Sequence, residues 1–284
     1  MITNENSVLT TLGVKYWSGY KHDKMASLQT IQDNNMEAGS GKFNKKLLPK
    51  DALKEISNIV QQFKYYFNDN TLIYPALLGT RILPTSEFME FSKAIGEAQD
   101  NLAKAVSAFA KKYKANLAEA KQMLGGLYNP ADYPNVDDLH DKFHINVNFL
   151  PVPEPGRFSG NVCSTSVNRL TDQLKDMSLD AKYDLVNRTE KVAKTLMDTL
   201  INDNKRIFRS TVIVNVDKLS NQLSALNYDN DPLIQELKEA VDDNILNIRM
   251  DYLRDSLSYR GKIMSATQKV LDLVDEINDA ATNR

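Results

Sequence analysis

Cysteine, histidine and tryptophan are scarce in this chain of 284 residues, which holds one Cys, three His and one Trp. A single thiol, Cys163, excludes an internal disulfide and a thiolate metal cluster, and it fits a reducing cytoplasm. No apolar run approaches the ~20 residues needed to span a bilayer. The opening stretch MITNENSVLTTLG lacks a basic start followed by a long apolar segment, so no secretory leader is expected. No charge of one sign dominates either. The 35 Lys/Arg and 37 Asp/Glu leave a net of −2, unlike the concentrated positive charge of a strong nucleic-acid binder. What is present is ordinary for a globular protein: 42% hydrophobic and 25% charged residues, enough to build a sizeable core.

The near-neutral total hides a gradient. Residues 1–122 carry 16 Lys/Arg against 12 Asp/Glu, and residues 123–284 carry 19 against 25. A mildly basic end and a mildly acidic end permit head-to-tail association.

Periodicity predicts a mainly α protein with long antiparallel helices in a bundle or coiled-coil-like array. A small β-sheet would be built from the N-terminal arm and residues 143–150. Residues 8–18 alternate and read as a strand or extended arm. Residues 32–46 read as a polar loop, and Pro49 as the start of a helix running to about Phe67. After Pro84, the positions Phe88, Phe91, Ile95, Ala98, Leu102, Ala105 and Phe109 form one apolar seam that Gly125-Gly126 ends. FHINVNFLPV alternates as a strand, and PVPEPG leads into an almost wholly helical remainder. Leu170, Leu174, Met177, Ala181, Leu185, Val192, Leu196 and Leu200 mark one long helix there, with a break near Ser178 as an alternative; a helix around residues 215–226 follows, and Asp231-Pro232 caps another. A last helix is expected from near Asp242 towards Ala280. Its seam runs through Leu246, Met250, Leu253, Leu257, Arg260, Met264, Thr267, Leu271 and Val274, with Ile263, Val270 and Ile277 widening it. Arg260 and Thr267 on that seam favour an open or oligomeric contact. These segments suggest an α+β part over residues 1–160 and a long-helix part over 161–284.

Few motifs carry chemistry. GSGK at Gly39–Lys42 resembles the end of a phosphate-binding loop, but Met36 stands in place of the first glycine, Phe43 follows the lysine, and no strand precedes it. HDKFH presents His140 and His144 four residues apart, with Asp141 where a metalloprotease carries glutamate. Alternation places His144 on a strand, which would turn the two rings apart. A metal-dependent hydrolase at His140 and His144 is therefore the weakest of three readings, and no cofactor is implied. Trp17, in LGVKYWSGYKH, suits an anchor for the arm, since a buried indole fixes how a strand docks. Trp17 and Tyr20 would otherwise stack on bases, with Lys111, Lys112, Lys114, Lys205, Arg206 and Arg209 contacting phosphates. That makes a single-stranded nucleic-acid-binding accessory protein the second reading.

VKYWSGYK at Val14–Lys21, GSGKFNKKLLPKDAL at Gly39–Leu53, ALLGTRILPTSEF and the FHINVNFLPV strand follow one another in an order that resembles the domain of unknown function 3150 family of phages and prophages. Tyr20 stands where that family commonly has a basic residue, and Gly41 and Asn44 interrupt its basic run. The resemblance covers about residues 8 to 158. It implies a phage protein in the bacterial host cytoplasm, with an AAA+ ATPase as a possible partner by genetic neighbourhood, and it brings no established reaction. The first reading is accordingly a non-enzymatic adaptor, scaffold or inhibitor acting through protein partners and self-association, away from any membrane.

Overall fold

The computed structural model describes residues 1–154, 164–202 and 211–282. The fold is mainly helical, with long helices and two small antiparallel sheets. In chain order the elements are β1 (Ser7–Tyr16), β2 (Tyr20–Asp23), α1 (Lys24–Asp33), β3 (Phe43–Lys46), α2 (Lys54–Asp69), β4 (Leu72–Ile73), β5 (Thr80–Pro84) and α3 (Phe88–Leu124). Short 3-10 turns then lead to β6 (Phe143–Leu150), α4 (Ser164–Asn202), α5 (Thr211–Ala225), α6 (Pro232–Asn244), α7 (Met250–Asp255) and α8 (Leu257–Thr282). One sheet has the order β4-β5-β1-β6, which places the N-terminal arm beside residues 143–150. The other pairs β2 with β3. No described helix is long and apolar enough to cross a membrane.

The chain forms two compact units, each assembled from separated segments. One comprises Met1–Thr11, Phe67–Phe91 and Phe149–Arg284; the other comprises Leu12–Tyr66 and Ser92–Asn148. In the first unit, β1 pairs with β5 in the register Ser7↔Pro84 to Thr11↔Thr80. Ile2 and Leu9 of the arm join one apolar core with Leu174, Leu185 and Leu196 of α4, Leu219 of α5, Leu237 of α6 and Val274 of α8. Removing that much apolar surface from water is the main force holding these helices together.

The expected last helix is broken twice. Leu246 and Ile245 both donate to the Val241 carbonyl, and Asn247 takes a left-handed φ of 64°, a helix-ending arrangement that closes α6. Ser256 is extended, separates α7 from α8, and accepts from Tyr259 N at 3.1 Å, which caps the new helix. The restart resets the helical phase. The buried stripe of α8 is Ile263, Thr267, Val270, Val274 and Ile277, while Leu257 lies in solvent. The two residues expected to hold the seam open are satisfied internally. Thr267 donates to Ile263 O at 2.8 Å, and the Arg260 guanidinium donates to the Leu253 and Arg254 carbonyls at the end of α7.

In the second unit, α3 buries Leu102, Ala105, Val106 and Phe109, and Gln99 of the same helix donates to Ile145 O of β6 at 3.0 Å. Pro49 does not open α2. Asp51 has a φ of 67°, and the helix begins at Lys54 after a turn.

Candidate functional site

Residues Ser18 to Lys46, within the second unit, form a lobe with no apolar centre. After β1 the chain turns at Gly19, whose φ is +69°; a Cβ there would also approach Leu48 and Leu53 to 3.3 Å. β2 follows, and Asp23 then caps α1 by accepting from Met25 N and Ala26 N at 3.1 Å each. The segment after α1 returns as β3, pairing Lys21 with Lys45 and Asp23 with Phe43. The expected loop over 32–46 therefore ends in a strand, and GSGK lies between α1 and β3 with no helix after it. A phosphate-binding loop requires the opposite order, strand before and helix after.

Polar contacts hold the lobe together. Ser27 is the one buried residue of α1. Its hydroxyl donates to Asp23 O at 2.6 Å and accepts from Phe43 N at 2.9 Å, which ties α1 to β3. His22 Nε2 lies 3.0 Å from the same oxygen. Because that hydroxyl proton is already given to a carbonyl, His22 acts as a donor there and does not activate a nucleophile.

Lys45, only 6% exposed, is the central tie. Its ammonium contacts Asp132 at 2.7 Å and Asp23 at 2.9 Å and donates to Leu127 O at 3.0 Å, while Lys21 reaches the other oxygen of Asp132 at 2.6 Å. The bond to Asp132 raises the Lys45 pKa against the opposing effect of burial, with Asp23 adding to the rise. Burial pushes the Asp132 carboxyl up, but Lys21 and Lys45 outweigh it and hold it below the usual range. Asp23 is held low by the Ala26 N–H and by Lys45. Sequence reading missed Lys45 because it lies among the basic residues Lys42 and Lys46. The alternation of β3, which separates Lys45 from Lys46 by face, was the available signal.

With its interior occupied by charge, the lobe leaves apolar side chains outside. Met25 is 75% and Leu28 52% exposed, and Tyr20, Met36 and Phe43 are exposed as well. Met25 and Leu28 lie one helical turn apart on α1 and so share a face.

The chain matches no family model, no curated protein and no solved structure. The surface must therefore be read from its own residues. Trp17 is half-buried and meets Tyr113 of α3 edge-on at 6.4 Å; Tyr113 meets Phe109, Phe109 meets Phe143, and Phe143 meets Tyr16. The Tyr113 hydroxyl donates to Pro134 O at 2.9 Å, and burial pushes its pKa up to about 12. Tyr20 is exposed on β2, and Lys111, Lys112 and Lys114 are exposed on α3 around the buried Tyr113. Lys205, Arg206, Arg209 and Cys163 lie outside the described residues.

His140 sits in a 3-10 turn and His144 on the exposed face of β6, yet both border one cleft of about 240 Å³, floored by Leu102 and Val106. The tight turn, not an α-helix, brings them to the same opening. No carboxylate lines that cleft, and among the described residues no three His, Cys, Asp or Glu side chains gather as a metal-binding set.

Proposed function

We propose that the chain is a non-enzymatic, phage-encoded interaction protein that self-associates in the host cytoplasm, with its α1–β3 lobe docking on a second copy. The exposed apolar face of α1, carried on a basic lobe, is the observation that supports this reading. Residues 14–54 hold eight lysines against four carboxylates, whereas the Met1–Thr11/Phe67–Phe91/Phe149–Arg284 unit holds 19 Lys/Arg against 25 Asp/Glu. Opposite charge steers the lobe of one copy towards the acidic unit of another, and the apolar residues at its centre supply the burial. Such a contact is heterologous, so it generates rings or open chains. The resemblance of Val14–Lys21 and Gly39–Leu53 to the phage family adds an AAA+ ATPase as a further candidate partner.

Sedimentation at about 50 mM and about 500 mM salt tests the reading, since screening shortens the reach of the steering field. The mass should rise with concentration above 32.1 kDa at low salt and fall back at high salt. A monomer at every concentration and both salts would refute it.

The nucleic-acid reading is weakened by the aromatic contact of Trp17, whose ring is engaged by Tyr113. Trp17→Ala should lower stability by about 2 kcal/mol, less than for a fully buried indole, as read by chemical denaturation. The same variant should leave the retention of a labelled single-stranded oligonucleotide unchanged. Salt-sensitive binding that vanishes in Trp17→Ala would favour the nucleic-acid reading instead.

A further inference from the structure

The Met1–Thr11/Phe67–Phe91/Phe149–Arg284 unit contains a second feature, independent of the lobe: a cleft of about 380 Å³ between the end of α2, β4–β5, α4 and α5. Its cations come from three elements: Arg81 on β5, Arg188 and Lys191 on α4, and Lys218 on α5. Two carboxylates, Asp69 and Asp184, also line it. The volume falls within the range of small-molecule sites.

The two arginines are held rigidly. Arg188 donates to the carbonyls of Asn68, Asp69 and Thr71 and to Asp184 at 2.8 Å. Arg81 donates from Nε to Thr71 Oγ1 at 2.6 Å and from Nη2 to the Asn68 and Thr71 carbonyls. Both therefore complete the carbonyl end of α2, a structural task that explains their burial. That task leaves donors over. Arg81 Nη1 makes none of these bonds, and Lys191 and Asn215, exposed residues that also line the cleft, have no side-chain partner among the described residues. Lys218 is paired with Asp69 but is half-exposed, so it can turn to a ligand. At the mouth, Ile73 is exposed and Val192 half-buried, an apolar patch beside the cations.

We propose that this cleft binds a small phosphate monoester, with the phosphoryl group on Arg81, Lys191 and Asn215 and an apolar moiety against Ile73 and Val192. Four cations less two carboxylates leave an excess of two positive charges, which matches a phosphate monoester of about −2 at neutral pH and overmatches a single carboxylate. The Arg81 guanidinium, locked through Nε and Nη2, keeps Nη1 as a fixed charge-assisted donor for one phosphoryl oxygen, and the Lys191 ammonium adds a point charge beside it.

Calorimetric titration of the full chain with phenyl phosphate, inorganic phosphate, benzoate and diphenyl phosphate tests this. Phenyl phosphate should saturate one site, and inorganic phosphate should bind more weakly. Benzoate and the diester, each with one charge, should bind at least about tenfold more weakly than phenyl phosphate. The diester arm also separates a free monoester from a nucleic-acid backbone. Lys191→Ala should weaken phenyl phosphate about tenfold, and Asn215→Asp, which places a carboxylate in the cleft, should abolish binding. Neither side chain holds the fold together, so an unchanged denaturation curve should accompany both losses. Affinity should also fall as pH drops below about 6, where the monoester takes up its second proton. The proposal is overturned by no saturation up to about 10 mM phenyl phosphate, the weak millimolar limit of specific recognition. It is equally overturned by benzoate or the diester binding as tightly, or by unchanged affinity in both variants.

Discussion

Lys45→Met should destabilise the Leu12–Tyr66/Ser92–Asn148 unit by about 3 kcal/mol, because it leaves two carboxylates facing an apolar side chain. Asp132, only 4% exposed, would keep Lys21 as its sole cation, and Asp23 would keep its cap on α1 but lose its ion pair. Trp17 is the only tryptophan and belongs to this unit, so denaturation followed by its fluorescence reads the loss directly. The double variant Lys45→Met/Asp132→Asn should cost less than the single one, since it leaves one carboxylate, Asp23, without its ion pair in place of two. An equal or greater loss in the double variant would show that the ion pair is not what Lys45 contributes.

The same tie fixes the pH dependence. Asp23 and Asp132 have folded-state pKa values below the ordinary carboxylate value, so their contribution is complete above about pH 4 and disappears as pH falls through the folded values. Lys45 is shifted upward, so its contribution is complete below about pH 10 and is lost as pH rises through its folded value. The unit should be stable on a plateau between those limits. In Lys45→Met the alkaline fall due to this lysine should vanish, and the acid fall should flatten.

Met25→Glu with Leu28→Glu should weaken self-association about a hundredfold, or abolish it, while leaving stability within about 0.5 kcal/mol. Both side chains are exposed, so their replacement removes little that the isolated chain buries. Two glutamates would also reduce the charge of residues 14–54 from +4 to +2, which should slow the encounter with an acidic surface. Met25→Lys with Leu28→Lys separates the two effects, since it keeps the attraction and removes the apolar centre. Association surviving in both variants would place the contact elsewhere.

Long apolar periodicities were legible, and single polar residues that change the path of the chain were not. The α3 seam from Phe91 through Phe109 and the alternation of Phe143 and Ile145 both correspond to burial, because in each case several side chains repeat one signal. The break at Ser256 has no such repetition. The apolar spacing continues across it from Leu253 to Leu257, and only the hydroxyl cap reveals that the helix restarts. α1 escaped reading for a related reason. Its apolar residues face outward, so no amphipathic stripe marks it, and its one clear signal is the Asp23 cap. The cleft near Arg81 and Arg188 was invisible for a different cause, since its residues are separated by more than a hundred positions and meet only through tertiary packing.

The placement of the arm has a consequence for synthesis. Ile2 and Leu9 leave the ribosome well before α4, α5 and α8, yet the core that receives them includes Leu174, Leu219 and Val274. At ~5–20 residues per second, the arm waits roughly ten seconds or more before those helices emerge. A nascent chain stalled before α4 would therefore have β5 to pair with the arm but not the helices that cover its apolar face.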